Sequence, residues 1–70
     1  MNIEEQIDTN KTILNYLYGE LNFLWDTYHQ ELNITERYEL LVKIRHIEGL
    51  IEIQNDTIKD LQRKLVKNKD

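Results

Sequence analysis

Two runs of apolar residues, each at heptad spacing and each broken once by an amide, decide what this chain can fold into. The first is Ile3, Ile7, Leu14, Leu17, Leu21, Leu24 and Tyr28, with Asn10 filling the seven-residue step. The second is Leu40, Ile44, Ile47, Ile51, Ile58, Leu61 and Leu65, with Gln54 as its interruption. Steps of three and four residues place one stripe along one face of an α-helix, so each run predicts a long helix with one apolar seam. No Pro and only two Gly occur in the chain, which argues against the many turns of an all-β fold.

Between the seams lies Glu31-Leu32-Asn33-Ile34-Thr35-Glu36, the one punctuated stretch. Asn33 with Glu36 three residues later fits a capping box, and Thr35 is an alternative N-cap. The expected organisation is one domain over residues 1–70. Helix 1 covers about 2–32, a turn about 33–35, and helix 2 about 36–67. A connection this short makes antiparallel neighbours. The expected fold is therefore an all-α antiparallel helical hairpin with arms of roughly 45 Å, dimerising into a four-helix bundle.

Charge is divided between the halves. Residues 1–35 carry six acids and one base, and residues 36–70 carry seven acids and eight bases. Glu4, Glu5 and Asp8 suit the positive end of the first helix dipole. Lys59, Arg63, Lys64, Lys67 and Lys69 suit the negative end of the second. In a hairpin the two sets face each other. That end has few apolar residues, only Met1, Ile3 and Ile7 on the first arm, and is expected to be thin. Leu17, Leu21, Leu24, Ile44, Ile47 and Ile51 are the expected centre of the core.

All six aromatics fall between positions 16 and 38. Tyr16 and Phe23 lie on one flank of the first seam, Tyr18 and Trp25 on the other. With the seam they make an apolar arc of about 200°, twice what one partner helix covers. The excess needs another copy or another protein. Binding energy concentrates in aromatic anchors, so Trp25 and Tyr38 are the expected partner contacts, followed by Phe23, Tyr18 and Tyr16. The expected partners are the chain itself, as a homodimer, and a second protein.

Chemistry of other kinds has little to work with. There is no Ser and no Cys, so the two commonest covalent nucleophiles and every thiolate metal site are missing. Asp26 and His29 are spaced as half of a di-metal ligand set, but the second arm offers Lys43 and His46 at the matching spacing. No catalytic residue, metal or cofactor is expected, and an enzyme is not. Asn-Lys-Thr at 10, Asn-Ile-Thr at 33 and Asn-Asp-Thr at 55 match the glycosylation acceptor pattern, which chance provides in a chain with seven Asn. The five bases near the end of helix 2 offer an alternative, a hairpin dimer that binds nucleic acid. They are interrupted by Asp60 and contain no aromatic to stack on a base.

His29-Gln30-Glu31-Leu32-Asn33 is similar to the Ser-Gln-Glu-Leu-Asp signature of the small aspartyl-phosphate phosphatases of sporulating bacteria, which are also helical hairpins. The match covers Gln30, Glu31 and Leu32. His29 stands in place of Ser, and Asn33 in place of the Asp that the family's activity needs. The resemblance therefore implies a hairpin and leaves a phosphatase-like activity only as a further alternative.

The N-terminal Met-Asn-Ile-Glu-Glu has neither the basic nor the apolar segment of a secretory leader. No apolar run reaches the length of a membrane span. A cytoplasmic location is expected. Nine Ile and seven Asn beside no Ala and no Pro resemble the output of an AT-rich genome. Size, acidity and composition together suggest a regulator or inhibitor of a host protein carried by a phage or another mobile element.

Overall fold

The computed structural model describes residues 2–69, and side chains for residues 2–67. Met1 and the side chain of Lys69, assigned above to the thin end and the basic end, lie outside it. Two helices, α1 (Ile3–Gln30) and α2 (Ile34–Lys69), pack antiparallel as a hairpin with extents of 56 × 15 × 14 Å. With 36 residues against 28, α2 is about 12 Å longer at 1.5 Å per residue, and overhangs the start of α1. No helix among the described residues is long and apolar enough to cross a membrane.

Local chemistry sets the helix ends. Asn2 opens α1, its side chain accepting the Glu5 N–H at 2.7 Å. The turn lies at residues 31–33, two residues earlier than the spacing predicts. The reason is the choice of cap. Asn33, not Thr35, is the N-cap of α2: its Oδ1 accepts the Glu36 N–H at 3.1 Å and its carbonyl accepts the Arg37 N–H at 2.9 Å. The helix therefore begins at Ile34 rather than Glu36. Glu31 has extended backbone (φ −80°, ψ 128°), which ends α1 at Gln30 rather than Leu32. At its far end α2 runs to Lys69 rather than 67.

Both seams close on each other. Ile7, Leu17, Leu24, Ile44, Ile51, Ile58 and Leu61 are buried, all of them seam positions, and Ile44 is fully so at 0% exposure. Leu21 and Ile47, expected at the centre of the core, are only half-buried. Two helices in contact enclose the residues that point straight at the partner and leave the next ones at the rim. The end away from the turn is thin in number of apolar residues, but Ile7, Ile58 and Leu61 are as well covered as Leu17.

The two interruptions meet. Gln54 Nε2 donates to Asn10 Oδ1, and also lies 3.5 Å from the Asn10 carbonyl oxygen. Asn10 Nδ2 donates to the Gln6 carbonyl at 2.6 Å. Both residues are half-buried. A polar group in a seam costs free energy unless a partner satisfies it. Here each amide is the other's partner, so the pairing is favourable in one register only. Asn10 and Gln54 are each 22 residues from Leu32, which places residue n of α1 at the level of residue 64 − n of α2.

Across the hairpin no ion pair is formed among the described residues. Arg63 pairs with Asp60 within α2 at 3.0 Å, with both side chains exposed. The opposed acidic and basic ends thus act through the helix dipoles and the general field rather than by contact.

Candidate protein-interaction surfaces

The structure leaves a large share of the apolar side chains outside the seam, and their positions follow from helical phase. At about 100° per residue, residues displaced from the seam in one sense fall on one broad side of the hairpin and those displaced in the other sense on the opposite side.

Of the residues singled out as anchors, Tyr16, Phe23, Tyr18 and Tyr38 are exposed, whereas Trp25 is half-buried. They do not gather in one patch. Tyr16 and Phe23 share a side with Ile13, and Tyr18 and Trp25 share the other. Trp25 is engaged within α1. It stands edge-on to Tyr28 at 5.4 Å and stacks on His29 at 5.7 Å, with an interplanar angle of 23°. The Arg37 guanidinium covers the Tyr28 ring at 4.5 Å, joining this cluster to α2. Trp25 is accordingly part of a brace near the turn more than a free anchor, with His29 stacked on its ring.

Sequence reasoning passed over the most exposed apolar residues. Leu32 is 91% exposed and Ile34 84%, on either side of Asn33, with Tyr38 beyond them at 67%. An apolar residue just before an N-cap commonly packs on the fourth residue of the helix as a staple. In this chain the fourth position is Arg37, whose head lies over Tyr28, and Leu32 is left in the open. Apolar residues flanking a capping Asn without an apolar fourth residue are the signal that would have found this patch. Ile34 and Tyr38 line a shallow groove with Tyr28, Arg37 and Leu41.

Two carboxyls sit at the turn. The Glu31 side chain accepts the Asn33 N–H at 3.0 Å, and that backbone donor, together with a hydrogen bond from the Glu36 carboxyl, holds Glu31 below its ordinary pKa. Glu36 is raised above its ordinary pKa, first by the hydrogen bond to Glu31 and then by the Glu31 charge. The pair shares one proton more readily than two isolated glutamates would. On α1 the Tyr16 hydroxyl is raised by its hydrogen bond to Glu20, which favours the neutral phenol as donor.

Among the described residues no group of three His, Asp or Glu is placed to hold a metal ion. Comparison with known families, curated proteins and solved structures finds no match to the chain.

Proposed function

We propose that the protein is a protein–protein interaction module that seats the apolar tip of its hairpin against a partner protein and acts by occluding or scaffolding it. The observation that carries this reading is the exposure of Leu32, Ile34 and Tyr38 at the turn and the first turn of α2, with Ile34 and Tyr38 lining one groove. The turn itself needs none of them, because its geometry is set by Asn33 and Glu31. An aromatic and two aliphatics presented on a rigid, capped turn, with Arg37 and the two carboxyls around them, have the make-up of an apolar hot spot inside a polar rim. The finer picture of a host-protein inhibitor or regulator from a phage or mobile element is supported by small size, acidity and AT-rich composition.

The alternatives draw less support. At the basic end Arg63 is already paired with Asp60, which weakens the case for a nucleic-acid surface there. The pentad that resembles the phosphatase signature spans the end of α1 and the turn, and Asn33 spends its side chain on the cap.

The test is affinity capture from the native cell, with wild type, Leu32→Asp and Tyr38→Ala as baits and the captured proteins quantified by mass spectrometry. The expected result is a protein retained by wild type and depleted at least about tenfold, ~1.4 kcal/mol, by each variant, with helicity unchanged. A partner captured equally by all three baits overturns the assignment of the tip.

A further inference from the structure

A second apolar surface lies along the side of the hairpin. Glu20 of α1 and Lys43 and His46 of α2 line one open groove of about 490 Å³ with Leu24, Val42 and Ile47. Helical phase puts Ile13, Tyr16 and Phe23 on the Glu20 flank, and Leu50 and Ile53 on the flank of Lys43 and His46. These five and Val42 are all exposed. Over the same stretch the opposite side carries Lys11, Asn15, Asn22, Glu48, Glu52 and Asn55, with Tyr18 as its one exposed large apolar residue and Trp25 and Leu41 half-buried. One side is therefore apolar through the middle of the hairpin and the other polar.

We propose that the apolar side is the seat of a second copy of this chain. The two-fold axis runs parallel to the helices, so that α1 of each hairpin packs on α2 of the other and both turns lie at one end. Two observations select this arrangement. The first is charge. Residues 1–35 hold six acids and one base, while the second half is close to balanced and ends basic. Packing α1 on α2 sets acid against base at the end away from the turn. An axis across the helices would instead set α1 against α1, acid against acid.

The second observation is register. An axis along the helices keeps every level, so residue n of α1 meets the second copy near residue 64 − n, as it does within the hairpin. Ile13 then falls between the second copy's Leu50 and Ile53, and Phe23 beside its Val42. Glu20 falls beside the second copy's Lys43, an acid on a base at the one charged level of the apolar stretch. Tyr16 falls at the second copy's Gly49, where a Cβ would have nothing within 4 Å in the single hairpin. The missing side chain leaves room for the ring. With the axis across the helices and centred on the same stretch, Ile13 meets Phe23, but Glu20 meets Tyr16 and Lys43 meets Gly49 and Leu50, so neither charge finds its opposite on the second copy.

The chain has no Cys, so Leu32→Cys gives a single site for a nitroxide at the turn, and dipolar EPR reads the distance between copies. Helix spacings of 8–10 Å put the two labels within roughly 25 Å when the turns share an end. With the turns at opposite ends, each lies about 14 residues from the centre, and the labels are roughly 40 Å apart. The expected result is the short distance, with the dipolar signal lost when Phe23→Asp is added and helicity retained. A distance near 40 Å overturns the arrangement. A signal that survives Phe23→Asp overturns the choice of side. No dipolar signal at the highest soluble concentration overturns the dimer. The tip takes no part in this contact, so none of these results bears on whether it binds a partner.

Discussion

Removing the Asn10–Gln54 pair has a different cost by each route, and the differences measure what the pair does. In Gln54→Ala, Asn10 keeps its bond to the Gln6 carbonyl and loses only the donor to its Oδ1. One hydrogen bond is worth about 0.5–1.5 kcal/mol net. In Asn10→Ala, the Gln54 amide loses its side-chain acceptor and keeps only the residue-10 carbonyl oxygen, 3.5 Å away. An unsatisfied buried group costs about 1–3 kcal/mol; Gln54 is half-buried and keeps the long contact to the carbonyl, so the low end of that range applies. The two losses share one bond, so the double alanine variant should be less destabilised than their sum, with a coupling of about 1 kcal/mol. Replacing both residues by Leu completes two uninterrupted seams. Full burial of a Leu is worth about 1.5–3 kcal/mol, so two half-buried ones, less the hydrogen bond they replace, should leave the variant roughly 1 kcal/mol more stable than wild type. The gain comes with a loss of the feature that favours one register. Urea melts followed by circular dichroism give the four stabilities of the cycle. Strict additivity of the alanine variants, or a double leucine variant weaker than wild type, would refute the reasoning.

Three further outcomes follow from particular contacts. Ile44→Ala removes a side chain with no exposed surface and should cost about 2–5 kcal/mol. Ile47→Ala, at a half-buried position, should cost less than half as much in dilute solution, and equal losses in urea melts would contradict the packing. Gly19→Ala adds a Cβ that meets nothing within 4 Å, and should raise stability by up to about 1 kcal/mol, read as a higher denaturation midpoint. At the turn, Glu31 is lowered and Glu36 raised, and their signs oppose. The stabilisation tied to Glu31 is present above its ordinary pKa and is lost as pH falls through the lowered one. That tied to Glu36 is present below its ordinary pKa and is lost as pH rises through the raised one. Since Glu31 is the leading cause of the Glu36 shift, Glu31→Gln should bring the Glu36 carboxyl back toward its ordinary range in an NMR titration. A Glu36 value that stays raised would place the cause elsewhere.

Much of the fold is legible in the sequence because the seams are regular. Each buried position is one that heptad spacing marks, and the short junction dictates the antiparallel hairpin. The turn lay two residues out because Asn33 and Thr35 both make good N-caps, and spacing alone does not choose between them. The mutual hydrogen bond of Asn10 and Gln54 was hidden for a different reason. Each reads as a local defect until the register of the hairpin is known, and the register depends in turn on the position of the turn. Of the aromatics named as anchors, Tyr16, Tyr18, Phe23 and Tyr38 are exposed and Trp25 is half-buried, because an indole three and four residues from Tyr28 and His29 can stack within its own helix. Leu32 and Ile34 escaped notice because a turn is ordinarily read for its polar residues, and their exposure follows from Arg37 occupying the position where a staple would close.

The account rests on the claim that two helices close one seam and that the apolar surface left over exists to be covered by other chains. Sedimentation equilibrium of the wild-type chain over a wide concentration range tests this most directly. The account predicts a mass that rises from 8.5 kDa toward about twice that value with concentration and then stops, as a closed two-fold assembly must. A folded, helical species that holds 8.5 kDa at every concentration would contradict it.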